Sequence, residues 1–517
     1  MRQYETFELT FRGEVLSGEY AQIPLSAEFI CGEEKTAVKG FYDGDGVYKV
    51  RFLPRQPGEY RWTVSGAVTA EGTEVCEPAA KNAHGPVKAV DTHFAYADGT
   101  LFYPFGTTVY ALASQDDSLV EQTLETLKTA PFNKIRMCVF PKDYDYNHNE
   151  PPFYAFEKAE DGSWDVGRPC LAFWQRFERI LDRIGELGIQ IDLILFHPYD
   201  RWGFDKLKQE DNLRYLDYLL RRLSARPNLW WSLANEYDLS RAKTLADWEE
   251  IETFVAENDP CHHLLSCHNC FAHWDFSRPN VTHASIQTKS LTQIPVWLGR
   301  LRKPVMIDEC CYEGNIPQFW GSISGREMVN RFWRSVASGG YCTHGETFLS
   351  DDEVLWWARG GTLKGESPER IAFLRALVEA LPGPLSPVDG GLEKLAAMTP
   401  EQLRALLPQV PQEHREAMLP FLNSMKRMDS VDLALHLGGE HGWAAHCGNE
   451  AYLWFYDLQC YAEQTLPLPA DKRYRVEQID VWAMTRTVLA ENASGNTKIR
   501  LPGKEGIAVL ATRIVED

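Results

Sequence analysis

The chain has 517 residues, of which 44% are hydrophobic, 12% aromatic and 24% charged, and it carries a formal net charge of −20. That length exceeds what one hydrophobic core usually supports and predicts two or three globular domains. The acidic balance argues against nucleic acid or an anionic membrane surface as a partner, because either demands clustered Lys and Arg.

The opening run from Met1 to Phe11 alternates like a strand and has no apolar signal core, and no later run is long enough to cross a bilayer, so the cytoplasm is the expected location. Twelve cysteines are too few for a disulfide scaffold and are expected to be reduced thiols. Residues 1–90 read as strands separated by turns: Val47 to Phe52 and Tyr60 to Val64 alternate polar and apolar residues, as a sheet buried on one face does. Asp43-Gly44-Asp45-Gly46 has the look of a calcium loop, but Pro54 stands where a bidentate Glu belongs, which leaves a hairpin turn. These features predict an N-terminal β-sandwich.

From His93 the pattern changes to short apolar runs alternating with amphipathic segments. Eight candidate strands follow: Leu101 to Gly106, Asn133 to Val139, Ile189 to Phe196, Leu229 to Ala234, His263 to Cys267, Val281 to Ser285, Pro304 to Ile307 and Tyr341 to Gly345. Helical patterns lie between most of them, as at Ser118 to Ala130 and Phe173 to Leu187, so residues 91–385 predict a (β/α)8 TIM barrel, an α/β fold. The fifth and sixth strands are too close in sequence for a full helix between them. A dinucleotide fold is disfavoured, since Phe105 to Tyr110 holds one glycine where that turn wants three. Cys267-His268-Asn269-Cys270 lacks the second knuckle that a zinc site needs, so no metal is expected. Residues 386–430 read as a helical connector, with helical patterns over 392–425, and 431–517 as a C-terminal β-sandwich.

Polar residues just beyond the strand ends of such a barrel share one bowl. Glu236 follows strand four and Glu309 ends strand seven, across the barrel, which makes them the natural carboxylate pair for breaking a glycosidic bond. Asn235 is placed to hydrogen-bond a sugar hydroxyl. The other substrate-side candidates are Tyr110, His197, Asp238, His268, Asn269, Tyr312, Glu313, Glu346 and the adjacent Trp356 and Trp357. The rings suit the apolar C–H faces of sugars, although composition alone explains them as core.

Ser232-Leu233-Ala234-Asn235-Glu236 resembles the strand-four ending of clan A retaining glycoside hydrolases. Phe102-Tyr103-Pro104-Phe105-Gly106-Thr107-Thr108 and Asp308-Glu309-Cys310-Cys311-Tyr312-Glu313-Gly314 resemble segments of the apiosidase-like hydrolases, whose barrels are flanked by similar β-domains. The resemblance implies a general acid/base at Glu236 and a nucleophile at Glu309. Tyr237-Asp238 after the Asn-Glu pair, and Cys310-Cys311, depart from the commoner pattern and leave the sugar open.

The expected function is therefore a retaining, exo-acting glycoside hydrolase for a small plant-type glycoside or oligosaccharide, with no cofactor, a carbohydrate as its partner and homo-oligomerisation left open. The alternatives are a non-catalytic carbohydrate-binding protein and a metal-dependent barrel hydrolase using His197, His268 and His283.

Overall fold

The computed structural model describes residues 1–352, 354–388, 420, 427 and 443–514. The helical expectation for 392–425 falls almost wholly outside the described residues. The chain divides into two units, one of residues 1–289, 300–328 and 341–379, the other of 290–299, 329–340 and 380–517.

In the first unit, two antiparallel sheets precede the barrel. One orders Phe7–Arg12, Val47–Phe52 and Phe41–Tyr42; the other orders Glu34–Lys39, Leu25–Cys31, Gly58–Gly66 and Ala70–Cys76. Period-two burial along Leu25–Cys31 turns Leu25, Ala27, Phe29 and Cys31 inward. Phe29 stacks on Phe52 of the other sheet with ring centroids 4.1 Å apart, so the sandwich closes on an aromatic core. Buried charge ties this sandwich to the barrel helices: Arg51 donates to Glu178 Oε2 (2.9 Å), and Arg222 to Glu178 Oε1 (2.6 Å) and Asp43 Oδ1 (2.9 Å).

The barrel sheet has eight strands, all parallel where they pair: Phe105–Thr108, Lys134–Cys138, Gln190–Phe196, Leu229–Ala234, Leu264–Ser266, Ala284–Gln287, Val305–Glu309 and Tyr341–His344. Each overlaps its expected position, and the fourth matches it residue for residue. Strands two, three and four are buried along their whole length; three and four accordingly read as largely apolar runs, whereas strand two carries Lys134 and Arg136 between its apolar residues. The fifth and sixth strands form no ladder with each other. Thr282 N donating to the Leu265 carbonyl (2.9 Å) and Ser266 Oγ donating to the His283 carbonyl (2.7 Å) bridge that seam instead, and no helix intervenes between them.

The second unit holds an antiparallel six-stranded sheet in the order Ser386–Pro387, Trp443–Cys447, Ala451–Tyr456, Ile507–Arg513, Tyr474–Asp480 and Thr485–Ala493. A two-stranded sheet, Glu463–Pro467 with Asn496–Arg500, adds Leu466 and Ile499 to the same core as Tyr474 and Val509, which makes the expected second sandwich. Asp457 of this unit accepts from Asn330 Nδ2 (2.6 Å) and Arg334 Nε (2.6 Å).

Candidate active site

The floor of the barrel is ionic. Lys134 and Arg136 alternate inward from strand two, and Lys134 donates to Asp192 Oδ2 (2.7 Å) and Asp308 Oδ1 (2.8 Å). Asp308 also accepts from Ser285 Oγ (2.6 Å) and Thr343 Oγ1 (2.8 Å), so its oxygens are fully engaged. Arg136 lies 3.3 Å from Asp192 and 4.0 Å from Glu309. Two cations and two aspartates cancel in this layer, and Glu309 stands directly above it.

Above the floor is a cavity of about 450 Å³, a volume in the usual range for small-molecule sites. Glu236 and Glu309 both line it. Glu236 is held in the left-handed region at φ 52°, a conformation that costs a non-glycine residue energy and that aims its carboxylate off the strand axis. Cys311, just past Glu309, is left-handed too, at φ 72°. Both strand ends that carry a carboxylate thus turn sharply at the cavity.

Gln287 links the two carboxylates. With its amide nitrogen turned toward them, it lies 3.0 Å from Glu236 Oε1, 3.2 Å from Glu309 Oε2 and 3.1 Å from the Asn269 carbonyl. The opposite orientation would set its oxygen against acceptors alone. Two oxygens at 3.0 and 3.2 Å from one nitrogen are at most 6.2 Å apart. A register shift at the end of strand six brings Gln287 opposite Glu309.

Each carboxylate also has its own tyrosine. Tyr199 donates to Glu236 Oε2, which also accepts from Asn235 Nδ2 (3.2 Å). Tyr110 Oη reaches both Glu309 Oε1 and Asn235 Oδ1, the latter at 2.9 Å. A phenol has one proton, so Tyr110 donates to an ionised Glu309, or donates to Asn235 and accepts from a protonated Glu309. Burial, and then the charge of Glu236, push the Glu309 carboxyl up to about 7. Glu309 therefore keeps its proton to higher pH than an ordinary carboxyl. His268 accepts the Glu236 amide N–H at Nδ1 (3.4 Å), which leaves the proton on Nε2, 4.0 Å from Glu309 Oε1; burial holds this imidazole well below its usual range and neutral.

The other expected residues divide. Tyr110, Tyr312 and Trp357 line the cavity. Gly345 is required here because a Cβ would meet the Tyr312 ring at 2.0 Å. Asn235 and His268 support the carboxylates from behind. Asn269 pairs with the Gln287 backbone, accepting its N–H (3.1 Å) and donating to its carbonyl (3.4 Å). Asp238 accepts the backbone N–H groups of Cys270 (2.6 Å), Phe271 (2.7 Å) and Ala272 (2.7 Å), and so shapes the loop after strand five. His197 is buried against the Phe140 carbonyl (3.2 Å), and Trp356 against Thr107 Oγ1 (2.8 Å); neither lines the cavity.

Glu313 and Glu346 are also elsewhere. Glu346 accepts from the amides of Lys364 (2.6 Å) and Gly365 (2.8 Å), and Glu313 from those of Glu366 (2.7 Å) and Ser367 (3.2 Å). These two glutamates and His344 are the one group among the described residues close enough together to suggest a metal site, yet the carboxylate oxygens are taken up by backbone donors. His197, His268 and His283 form no such group.

Gln287 at the end of strand six, and Lys142, Tyr144 and Tyr199 just beyond strands two and three, are polar strand-end residues of the kind the sequence points to, and all four line the cavity; Phe271, Phe319 and Trp320 line it too and carry no such signal. Lys142 and Tyr199 lie in the segments just after strands two and three, and nothing in the sequence of those segments says which side chain turns inward.

The catalytic domain of the apiosidase-like family matches residues 89–369, and two domains of unknown function, DUF5060 and DUF5605, match residues 1–67 and 441–512. No curated protein matches the chain. A candidate glycoside hydrolase from Bacteroides vulgatus is 35% identical, with 99% of each chain covered and a TM-score of 0.84. A glycoside hydrolase family 5 structure from the same organism is 14% identical at a TM-score of 0.58, covering 83% of this chain and 94% of that one, which is a likeness of fold alone. The match over more than half the sequence and the full-length relative place this chain in the apiosidase-like family of barrel glycoside hydrolases.

Proposed function

We propose that the protein hydrolyses O-glycosidic bonds with retention of anomeric configuration, with Glu309 as nucleophile and Glu236 as general acid/base. The observation that carries this reading is the Gln287 bridge, which limits the nearest carboxylate oxygens to 6.2 Å. Retaining enzymes hold their carboxyls about 5–5.5 Å apart, whereas inverting ones need about 6.5–9.5 Å to admit a water between carboxylate and sugar. In the first step Glu309 forms a bond to the anomeric carbon while Glu236 gives its proton to the departing oxygen. In the second, Glu236 takes a proton from water, whose oxygen displaces Glu309. The cycle moves one proton, carried by the pair.

Arg136 and the Tyr110 hydroxyl favour charge on Glu309 when the proton sits on Glu236. A cavity of about 450 Å³ walled by Tyr144, Tyr312, Trp320 and Trp357 supports exo action on a terminal sugar of a small glycoside or oligosaccharide. The test is a panel of aryl glycosides, pentofuranosides included, with the first-formed product anomer followed by NMR. Retention is expected, and an inverted product overturns the mechanism. Near-parental turnover by Glu236→Gln or Glu309→Gln would remove that residue from its role.

A further inference from the structure

Lys142 is a buried cation for which no carboxylate stands within ion-pair distance among the described residues. Its Nζ lies 3.7 Å from the centroid of the Tyr110 ring and 4.4 Å from that of Tyr199, with Trp357 at 5.2 Å and Tyr144 at 5.6 Å. All four distances are within cation–π range. The two nearest rings are the two whose hydroxyls bond the carboxylates: Tyr110 to Glu309 and Tyr199 to Glu236. One ammonium thus sits against both tyrosines, and each tyrosine holds one member of the pair.

We propose that Lys142 is a positioning residue: its caged ammonium fixes the rings of Tyr110 and Tyr199, and through their hydroxyls it holds Glu309 and Glu236 in the geometry and charge state the reaction needs. This rests on the assignment of those two glutamates given above. A charge census supports it. Below the cavity, Lys134 and Arg136 cancel Asp192 and Asp308. Around Lys142, burial keeps Cys138, His197 and His268 uncharged and raises the hydroxyls of Tyr110, Tyr144 and Tyr199 above their ordinary range. What remains among the buried groups is one ammonium facing two carboxylates, a set that is neutral with one proton on the pair; Lys289, the other lysine on the cavity lining, is exposed to solvent. Burial holds the Lys142 ammonium below the ordinary lysine range, and Glu236 and Glu309 act against that loss by favouring its charge. Cation and carboxylates therefore stabilise one another across the tyrosine rings.

The test compares Lys142→Met, which keeps the length of the side chain and removes its charge, with Lys142→Arg, which keeps the charge. Lys142→Met is expected to lose at least ~30-fold in kcat with KM changed less than about threefold, and to move the alkaline limb of the pH profile up by about one unit, as loss of a neighbouring cation does. Lys142→Arg must leave the limb in place. The same midpoint is read without turnover by 13C NMR of carboxyl-labelled glutamate, the Glu309 signal being the one lost in Glu309→Gln. Failure to cleave any glycoside would count against the hydrolase reading, whereas this titration still judges Lys142. An unmoved midpoint in Lys142→Met overturns the proposal, as does a rise in KM at constant kcat, which would make Lys142 a substrate contact. Should the Met variant not fold, Lys142→Gln carries the same expectation, and a midpoint shift in Lys142→Arg overturns the proposal independently.

Discussion

Glu236 with Glu309, and Glu313 with Glu346, are two pairs of buried glutamates at the same end of one barrel, and burial pushes a member of each, Glu309 and Glu346, up to about 7. Their partners differ. The first pair faces a cavity and is held by side chains: two tyrosines, an asparagine and a glutamine. The second is held by four backbone N–H groups of residues 364–367 and the Ser367 hydroxyl, and so pins the chain leading into the helix Ser367–Glu379. A raised carboxyl is therefore no sign of catalysis by itself. A carboxyl acts on a substrate when it faces open space and its partners hold it without using up its oxygens.

Exchanging each carboxyl for its amide sharpens this contrast most. Glu309→Gln and Glu236→Gln are expected to lose about 10³-fold or more in kcat on a substrate the parent cleaves, with little change in Tm. Glu313→Gln is expected instead to lose stability, by about 2 kcal/mol or more in denaturant unfolding, because charge-assisted bonds to buried backbone groups are lost. A large Tm loss in the first pair and a large kcat loss in the second would erase the distinction.

Acidity offers the next break. The pair at the cavity must keep one proton, so activity is expected to fall as pH rises through about 7 and both carboxyls ionise. For Glu346 the folded state favours the protonated form. Its contribution to stability is present below about 4.5, the ordinary value, and is lost as pH rises toward 7. Glu346→Gln should flatten that part of the stability-versus-pH curve and leave the alkaline limb of activity where it was. The smallest effect separates the adjacent tryptophans: Trp356→Phe removes the bond to Thr107 and is expected to cost ~1 kcal/mol in unfolding, whereas Trp357→Phe alters a cavity wall and is expected to raise KM a few-fold.

That pair of neighbours shows where reading the sequence stops. Trp356 and Trp357 begin a one-turn helix, Trp356–Arg359, so adjacent side chains diverge and only one reaches the cavity. Composition cannot tell them apart. Glu313 and Glu346 do lie just past strands seven and eight, but their oxygens turn to the segment 364–367 through contacts some twenty to fifty residues away in sequence.

The sequence by itself determined the barrel, its eight strand positions and the two strand ends that deliver Glu236 and Glu309. Buried parallel strands are rich in apolar residues even where a Lys, Arg or Asp interrupts them, and a run that ends in Asn-Glu or Asp-Glu is a local signal. Only the tertiary structure decided which side chains complete the site. Gln287 reaches both carboxylates through a register shift between strands six and seven, Tyr199 and Lys142 come in from loops, and Glu236 turns its carboxylate into the cavity through a left-handed backbone. The physical reason is range: burial along a strand is written in neighbouring residues, whereas the direction of a loop side chain is set by distant groups that compete for its hydrogen bonds and packing.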